Sequence, residues 1–346
     1  MIDKILEFIK PIRKILLFTH NNPDPDSIAS AFALKNLFSY IYKKRCTIAY
    51  RGIIGRAQNR ELVKVCSIKM FNAKMLNPVK YDCIVLVDTQ PGSGNIYLTE
   101  KQIPHIVIDH HYIRSATKKA KIIDVRPNIG STSTIVIEYY KKLNIPFDKN
   151  TATALYYGIK TDTIGAARNN TKLDLEMMSY VTPYISLRKL SKIEEPEIPR
   201  YYFKNLHIAL ERVEVINELI FCNLDEVRNA DFIAEMSDFL IRMRDIKWSL
   251  VMGKVDKGCY FSLRCKLSKK FLGNIATEIT RGIGYGGGHL KSAGGQIPLE
   301  NNKLLNGLNE KEKYEKVVSI VKKRFLNIIF KNNNIYDKSN VEKLKL

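Results

Sequence analysis

Short apolar runs alternate with amphipathic segments in the first half of the chain. The runs KILLF, CIVLV and HIVI, which begin at residues 14, 83 and 105, consist of consecutive apolar residues. Such runs are typical of strands buried on both faces. The segment SIASAFALKNLFSYIYKK, residues 27–44, has apolar positions at helical spacing, as do stretches near residues 131–143 and 151–163. This order predicts an α/β fold with a mainly parallel sheet flanked by helices.

A change in pattern follows near residue 183. The segment PYISLRKLSKIEEPEIPR contains three prolines and mixed charge, which is typical of a linker. Beyond it, helical segments, the hairpin WSLVMGKV to YFSLRCKL, the glycine cluster GYGGGH and a closing helix predict a smaller α/β domain. We predict a first domain over residues 1–185, a linker over 186–213, a second domain over 214–330 and a polar tail over 331–346.

Composition narrows the class of protein. A chain of 346 residues suits two domains. It contains no apolar run near the roughly 18 residues that span a bilayer, so we expect no membrane segment. Six scattered cysteines without a CxxC pair favour reduced thiols and a cytoplasmic location. A net charge of +21 favours a polyanionic partner. A lysine-rich proteome would give the same charge, so charge supports a nucleotide hypothesis without establishing it.

Polar side chains follow each of the apolar runs. Because the carboxyl ends of parallel strands meet at one edge of a sheet, these side chains are expected to converge in one crevice. A further aspartate ends the apolar helical segment near residue 162. The residues are His20, Asp24, Asp26, Asp88, Asp109, His110, His111 and Asp162.

Crowded carboxylates repel one another unless cations neutralise them. Carboxylate and imidazole ligands without thiolate suit manganese or magnesium better than structural zinc. Two metal ions about 3.5–4 Å apart could share an aspartate, hold a nucleophilic hydroxide and neutralise a phosphoryl transition state. The pattern therefore predicts hydrolysis of a phosphoester or phosphoanhydride. In the alternative interpretation, the aspartates are turn formers and helix caps and the histidines lie on the surface, but four motifs at corresponding positions argue against it.

The motifs THNNPDPDSIAS, LVDT, IDHH and IKTDT, in this order, resemble those of the DHH phosphoesterase superfamily. The later YFSLRC and GYGGGHLKSAGG resemble the DHH-associated carboxyl-terminal domain of RecJ-like exonucleases and NrnA-type oligoribonucleases. The resemblance covers residues 12 to 300, and it implies a DHH catalytic domain followed by a substrate-binding domain. Pro25, Ala29 and Cys265 depart from the usual motifs, but none of them is an expected metal ligand.

The resemblance implies a role for each motif residue. One metal ion is expected on His20, Asp24 and Asp88. The other is expected on Asp26, Asp88, His110 and Asp162, with Asp88 as the bridge. Mn²⁺ is the favoured ion, with Mg²⁺ and Co²⁺ as alternatives. His111 is expected to face the substrate as a catalytic residue, with Asp109 orienting a neighbour from behind.

Substrate-binding residues are expected mainly in the second domain. The glycine cluster indicates a flexible turn whose amides could bind an anion. The glycines alone favour a tight connection without a ligand, and the resemblance is what favours binding of a nucleotide there. Basic side chains near the motifs are candidates to steer phosphates, although a solvated surface is the default interpretation for each lysine. The expected substrate-binding residues are Arg264, Gly286, Gly287, Gly288, His289 and Arg168, with Lys160 and Lys291 as weaker candidates.

Our first interpretation is a manganese-dependent phosphodiesterase of the exonuclease or oligoribonuclease type. It would hydrolyse short oligonucleotides, nanoRNA or short single-stranded DNA, to nucleoside 5′-monophosphates. Alternatives are hydrolysis of a cyclic dinucleotide, its linear product pApA or 3′-phosphoadenosine 5′-phosphate. A non-catalytic nucleic-acid-binding scaffold is the alternative outside enzymes. The resemblance also allows a homodimer, which no feature of this sequence marks.

Overall fold

The structure is a computed structural model that describes residues 1–96, 98, 102–163, 170–267, 272–288, 292–330 and the backbone of 341–343. The chain forms two compact units, Met1–Glu197 and Ile198–Leu346. The boundary between them lies inside the range predicted as a linker. Much of that range is helical in the structure, at Leu187–Glu194 and Arg200–Glu211.

The described part of the first unit contains a sheet of six parallel strands in the order β3-β2-β1-β4-β5-β6. The strands are β1 (Lys14–Phe18), β2 (Arg45–Tyr50), β3 (Met70–Asn72), β4 (Cys83–Val87), β5 (Ile106–Asp109) and β6 (Ile122–Val125). The helices are α1 (Ile2–Ile9), α2 (Pro25–Tyr42), α3 (Ala57–Val65), α4 (Thr132–Lys142), α5 (Lys149–Asp162), α6 (Lys172–Val181) and α7 (Leu187–Glu194). The predicted α/β fold with a parallel sheet is confirmed.

Both faces of this sheet are covered, which explains the continuous apolar runs. Along β1, Ile15 and Leu17 belong to a core cluster with residues of α2, α4 and α5. The alternate residues Leu16 and Phe18 belong to a cluster on the opposite face, together with Ala120. Strand order reverses at the β1–β4 pair, because β2 and β3 extend the sheet on one side and β5 and β6 on the other. Open α/β sheets bind ligands at the carboxyl ends of strands at such a point.

The second unit has a mixed sheet in the order β11-β12-β10-β9-β8-β7-β13, with β8 and β9 parallel. Its strands are β7 (Val213–Ile216), β8 (Leu219–Glu226), β9 (Trp248–Val255), β10 (Gly258–Cys265), β11 (Tyr285–Gly288), β12 (Ser292–Pro298) and β13 (Val341–Lys343). Its helices are α8 (Arg200–Glu211), α9 (Ala230–Leu240), α10 (Leu272–Thr280) and α11 (Glu310–Phe330). Separate hydrophobic clusters join the sheet to α10 and α11 and to α8 and α9. Strand β13 lies in the range predicted as a polar tail, whose other residues are outside the described ones.

The prediction of a flexible turn at the glycine cluster is wrong. Tyr285–Gly288 form strand β11, which pairs antiparallel with β12. A Cβ atom at Gly286 would lie 2.3 Å from the carbonyl oxygen of Ala276 in α10. At Gly288, where φ is +153°, it would lie 2.4 Å from Cα of Ala293. The glycines therefore allow the strand to approach a helix and a neighbouring strand closely.

Among the described helices, none has the length and apolar content needed to cross a membrane. All six cysteines are free thiols, and all except Cys46 are buried. Burial raises the pKa of Cys83 and Cys259 to about 12, so these thiols stay protonated at neutral pH.

Candidate metal centre

The loop after β1 supplies three of the candidate side chains. Asp24 is the N-cap of α2, where its Oδ1 accepts a hydrogen bond of 2.9 Å from the amide of Ser27. Asp26 lies buried in the first turn of the same helix. Nδ1 of His20 lies 2.9 Å from the carbonyl oxygen of Asn21, so Nδ1 carries the hydrogen. The other ring nitrogen, Nε2, lies 3.4 Å from Asp24 Oδ1 and can serve as a ligand atom.

Asp88 lies at the end of β4 in an unusual backbone conformation. Its φ is +59°, in the left-handed region, and its amide donates to the carbonyl of Ile108. The carboxylate is buried and its Oδ1 accepts a hydrogen bond of 2.8 Å from Thr132 Oγ1. Its oxygens lie 3.8 Å from His20 Nε2 and 3.5 Å from His110 Nε2. Asp88 therefore lies between the loop after β1 and the loop after β5.

The loop after β5 supplies two histidines with different surroundings. Nδ1 of His110 donates to the carbonyl of Ile129, 3.1 Å away, so Nε2 is the ring nitrogen available to a metal ion. This buried Nε2 has no hydrogen-bond partner among the described residues and lies 3.2 Å from Asp162 Oδ2. His111 is 40% exposed, and its Nδ1 lies 2.8 Å from Asp109 Oδ1. His110 thus has the arrangement of a metal ligand, whereas His111 is held by a carboxylate.

The candidate ligand atoms form three groups that share members. In each group the atoms lie within 4.8 Å of one another. The groups are His20, Asp24 and Asp88; Asp26, His110 and Asp162; and Asp88, His110 and His111. All six residues expected to bind metal are therefore brought together, and Asp88 and His110 each belong to two groups.

The electrostatics of the cluster favour a bound cation. Burial and the neighbouring carboxylates raise the pKa of Asp88 well above its ordinary value and that of Asp26 to about 7. Burial opposes the charged form of His20, but Asp24 raises the pKa of this imidazole to about 9. Burial likewise opposes the charge on His110, yet Asp162 raises its pKa to about 10. In the absence of metal, protons therefore neutralise the charge that a bound cation would neutralise. The oxygen and imidazole donors suit divalent manganese or magnesium.

The amino terminus of α4 also contributes to the centre, which sequence reasoning did not foresee. The amides of Thr132 and Ser133 donate to the two carboxylate oxygens of Asp26 at 2.7 and 2.8 Å. Because the hydroxyl of Thr132 bonds Asp88, one residue contacts two candidate ligands. A helix amino terminus favours negative charge, so α4 offsets part of the repulsion between the carboxylates. The available signal was the string STST at the predicted start of this helix.

Gln90 fixes the loop that carries Asp109 and His111, and it too was missed. Its Nε2 donates to Asp109 Oδ2 at 2.6 Å and to the carbonyl of Tyr112 at 3.2 Å. Its Oε1 accepts from the amide of Arg114 at 2.9 Å and from the hydroxyl of Thr117. Burial opposes ionisation of Asp109, but the bond from His111 lowers the pKa of this carboxyl. Asp109 is therefore ionised and holds the His111 ring.

The candidates for substrate binding in the second unit lie on β10 and β11. Arg264 forms a paired contact with Asp238, through Nε at 2.5 Å and Nη2 at 3.2 Å. Its Nη1 donates to Ser262 Oγ and to a main-chain carbonyl, so the guanidinium is held in place. Gly286, Gly287 and Gly288 form part of β11. His289, Arg168 and Lys291 lie outside the described residues, and Lys160 pairs with Glu194.

The fold and this centre define a two-unit α/β protein with carboxylates and imidazoles at the point where its parallel sheet reverses strand order. Residues 14–159 match the family described as "DHH family, N-terminal domain". The first unit therefore contains a domain of the DHH family.

Comparison with curated proteins gives several similar chains. An uncharacterized protein of Methanocaldococcus jannaschii is 34% identical over 91% of this chain and 64% of its own length. The cyclic-di-AMP phosphodiesterase GdpP of Bacillus subtilis is 22% identical over 84% of this chain and 46% of its own length. A probable manganese-dependent inorganic pyrophosphatase of Lactococcus lactis is 24% identical over 68% of this chain and 76% of its own length. The chain thus spans less than two thirds of the first and second of these three relatives.

Solved structures share the fold. An exopolyphosphatase-related protein from Bacteroides fragilis has a TM-score of 0.72, with 17% identity, and the match covers 95% of this chain and 97% of that one. RecJ in complex with Mn²⁺ from Thermus thermophilus has a TM-score of 0.50, with 9% identity, over 94% of this chain and 54% of that one. At these identities the likeness concerns the fold alone.

Proposed function

We propose that the protein is a manganese-dependent phosphodiesterase that hydrolyses short single-stranded oligonucleotides to nucleoside 5′-monophosphates. The observation that carries this proposal is the pair of ligand groups on either side of Asp88. A shared carboxylate between two divalent ions is the usual arrangement of two-metal phosphoryl-transfer sites. Similarity to a phosphodiesterase and to a manganese-dependent pyrophosphatase supports hydrolysis at phosphorus and the choice of metal.

The chain's own residues divide into those that would hold the metal ions and those that would act on the substrate. His20, Asp24 and Asp88 would hold one ion, and Asp26, Asp88, His110 and Asp162 the other. When bound, the ions supply Lewis acidity for the phosphoryl oxygens and acidify a water molecule. Thr132 and Ser133 keep the carboxylates of Asp88 and Asp26 in place through the bonds described above.

His111 would act on the substrate directly. Its Nδ1 is held by the ionised Asp109, so we assign substrate contact to Nε2. An imidazole held in this way keeps its Nδ1 hydrogen on Asp109, and as the imidazolium it can donate its second hydrogen, on Nε2, to a phosphoryl oxygen or to the leaving oxygen. Its 40% exposure, against 13% for His110, agrees with a role outside the metal shell.

Hydrolysis of a cyclic dinucleotide is the second candidate. It is favoured by the similarity to GdpP, which extends over 84% of this chain. The net charge of +21 attracts a dinucleotide and a longer oligonucleotide alike, so charge does not separate the two candidates.

An activity assay with a matched pair of variants tests the proposal. Purified protein with Mn²⁺ is incubated with 5′-labelled oligonucleotides from dinucleotides upward, and separately with cyclic di-AMP, pApA, 3′-phosphoadenosine 5′-phosphate and pyrophosphate. We expect the shortest oligonucleotides to be cleaved fastest. Asp88→Asn should lower the rate by more than about a hundredfold. Replacing a residue that only supports a metal ligand costs about 10- to 100-fold, and loss of the ligand itself should cost more.

Asp82→Asn is the control, because Asp82 precedes the opposite end of β4 and accepts a hydrogen bond of 2.9 Å from the amide of Lys14. It should retain full activity. Preferential turnover of cyclic di-AMP would favour the second candidate. If none of these substrates is turned over with any divalent metal, or if the two variants have equal rates, the result would favour the alternative of a non-catalytic nucleic-acid-binding scaffold.

A further inference from the structure

The segment that follows His111 presents an unusual surface. We call residues 112–119 the Tyr112 strip. Tyr112 is 84% exposed and Ile113 is 54% exposed. Arg114, Lys118 and Lys119 are exposed as well, and they form no ion pair with the acidic residues that the structure describes. The strip therefore joins an exposed aromatic and aliphatic pair to three cations, directly beside the proposed catalytic histidine.

The backbone of the strip is held from beneath. Gln90 bonds both the carbonyl of Tyr112 and the amide of Arg114. Thr117 is buried and also bonds Gln90, and Ser115–Lys119 form a 3₁₀ helix. A tyrosine on a fixed backbone loses little conformational freedom when it binds a ligand, since only two side-chain torsions remain.

Single exposed apolar residues are common on protein surfaces and need no function. Three observations set Tyr112 apart: it follows His111 directly, its backbone is fixed by the residue that fixes Asp109, and cations follow it. Aromatic side chains interleaved with basic ones are the usual surface for single-stranded nucleic acid. Inorganic polyphosphate would use the cations but has no flat face to stack on the ring.

We propose that the Tyr112 strip binds the nucleoside next to the scissile phosphate. Tyr112 stacks on its base, and Arg114, Lys118 and Lys119 receive the phosphates that follow. This inference rests on the proposed phosphodiester hydrolysis, and it assigns the substrate class to nucleotides by their bases as well as by their phosphates.

Kinetics on a matched pair of substrates test the stacking. One substrate is a dinucleotide and the other is its abasic counterpart, which has the same phosphodiester and no bases. Tyr112→Ala should lower kcat/KM for the dinucleotide about tenfold, through KM, because stacking of one base on an aromatic ring has about this effect. It should leave the abasic substrate unchanged, and Tyr112→Phe should behave as the wild type. Tyr40→Ala is the control, since Tyr40 is 58% exposed near the far end of α2.

Equal losses on the two substrates, or no loss on the dinucleotide, would overturn the inference. Binding is measured separately, by fluorescence anisotropy of a labelled trinucleotide with Ca²⁺ in place of Mn²⁺. If the wild type cleaves no dinucleotide, the proposed function fails, and binding then decides the inference. A tenfold loss of affinity in Tyr112→Ala supports it, and unchanged affinity overturns it.

The same binding assay tests the three cations of the strip separately, through the salt dependence of the affinity. Replacing Arg114, Lys118 and Lys119 together by glutamine should reduce the slope of log affinity against log salt by about 2. Each phosphate contact on a single strand contributes about 0.7 to this slope. An unchanged slope would exclude these cations from the binding surface.

Discussion

Asp88 combines three features that are unfavourable when taken one by one. Its carboxylate is buried, its backbone is left-handed and its nearest charged neighbours include other carboxylates. A left-handed non-glycine residue costs about 1–3 kcal/mol, and such positions concentrate at functional sites. Burial and the adjacent charges raise the pKa of this carboxyl, so the free energy of the metal-free protein includes the cost of keeping it there. Divalent cations held by Asp88, one together with His20 and the other with His110, would remove that cost.

Asp88→Asn separates the charge of this residue from its shape. Asparagine tolerates the left-handed region and can still accept the bond from Thr132. We expect the metal-free variant to be at least as stable as the wild type, because the cost of burying a carboxyl among other carboxylates has been removed. Mn²⁺ at a hundred times its Kd should stabilise the wild type by about 2.7 kcal/mol and the variant hardly at all. Thermal unfolding with Mn²⁺ and with chelator measures both, with Asp82→Asn as control. An equal Mn²⁺-induced rise in Tm in both variants would remove Asp88 from the metal centre.

We expect Gln90 to affect catalysis indirectly, because it holds Asp109, which in turn holds His111. Gln90→Met keeps the shape of the side chain but removes its hydrogen bonds to Asp109, Thr117 and main-chain groups. The buried groups left without partners should cost about 1–3 kcal/mol of the free energy of unfolding, measured in urea. We expect kcat to fall about tenfold while KM changes little, because the ring of His111 loses its fixed support.

Thr117→Val is the matched variant, since it removes a bond to Gln90 without touching Asp109. It should lose stability while keeping kcat near the wild-type value. Equal losses of kcat in Gln90→Met and Thr117→Val would assign Gln90 a purely structural role.

At the scale of elements, the amino terminus of α4 is the feature that connects the sheet to the metal centre. Thr132→Val removes the hydroxyl bonded to Asp88 but keeps the amide bonded to Asp26. We expect Mn²⁺ affinity to fall about 10- to 100-fold, as is usual when the partner of a metal ligand is removed. Thr132→Ser retains the hydroxyl and should bind Mn²⁺ as the wild type does. Isothermal titration calorimetry measures both, and equal affinity in the valine variant would show that this bond does not support the centre.

The sequence allowed some elements of the centre to be predicted and concealed others, for physical reasons. Buried parallel strands require apolar residues in succession, so the positions of Asp88 and His110 at strand ends could be predicted. The contacts of Thr132 and Gln90 could not be predicted. In the sequence, a serine or threonine at a helix start looks the same whether its hydroxyl caps the helix or contacts a distant residue. The glycine cluster was misinterpreted because glycine marks both mobile turns and places where backbones approach closely, and Gly286 belongs to the second kind.

At the scale of the molecule, each of the two units has its own hydrophobic clusters. Among the described residues, the buried members of the clusters around the parallel sheet lie at or before Ile193, and those of the clusters around the mixed sheet begin at Ala209. All the candidate metal ligands lie in the first unit. We therefore expect the fragment Met1–Glu197 to unfold cooperatively and to bind two Mn²⁺ ions. Circular dichroism and calorimetric titration check this, and a fragment that folds but binds no Mn²⁺ would mean that the second unit contributes to the centre.

The pH dependence of stability is a property of the whole molecule that reports on the metal cluster. In the metal-free protein, His20 and His110 have pKa values raised to about 9 and 10, so their stabilising contribution is complete below the ordinary histidine value and is lost as pH rises through the raised values. Asp26, raised to about 7, changes stability in the same direction, because the folded state retains a proton that the unfolded state releases above its ordinary value. The stability of the metal-free protein should therefore fall as the pH is raised from about 6 to about 8.5.

Metal ions reverse this trend, because they bind the deprotonated ligands and bind them more tightly as pH rises. The increase in Tm produced by Mn²⁺ should thus be small near pH 6 and grow steadily towards pH 8.5. Comparison of chelated and Mn²⁺-loaded protein at each pH cancels the contribution of the many surface lysines and arginines, whose charge is the same in both. In Asp88→Asn, the chelated and the Mn²⁺-loaded protein should have the same Tm at each pH in this range. A metal-free protein that becomes more stable with rising pH would show that shared protons do not hold the carboxylates and imidazoles near Asp88 together, and that their charges do not require a cation.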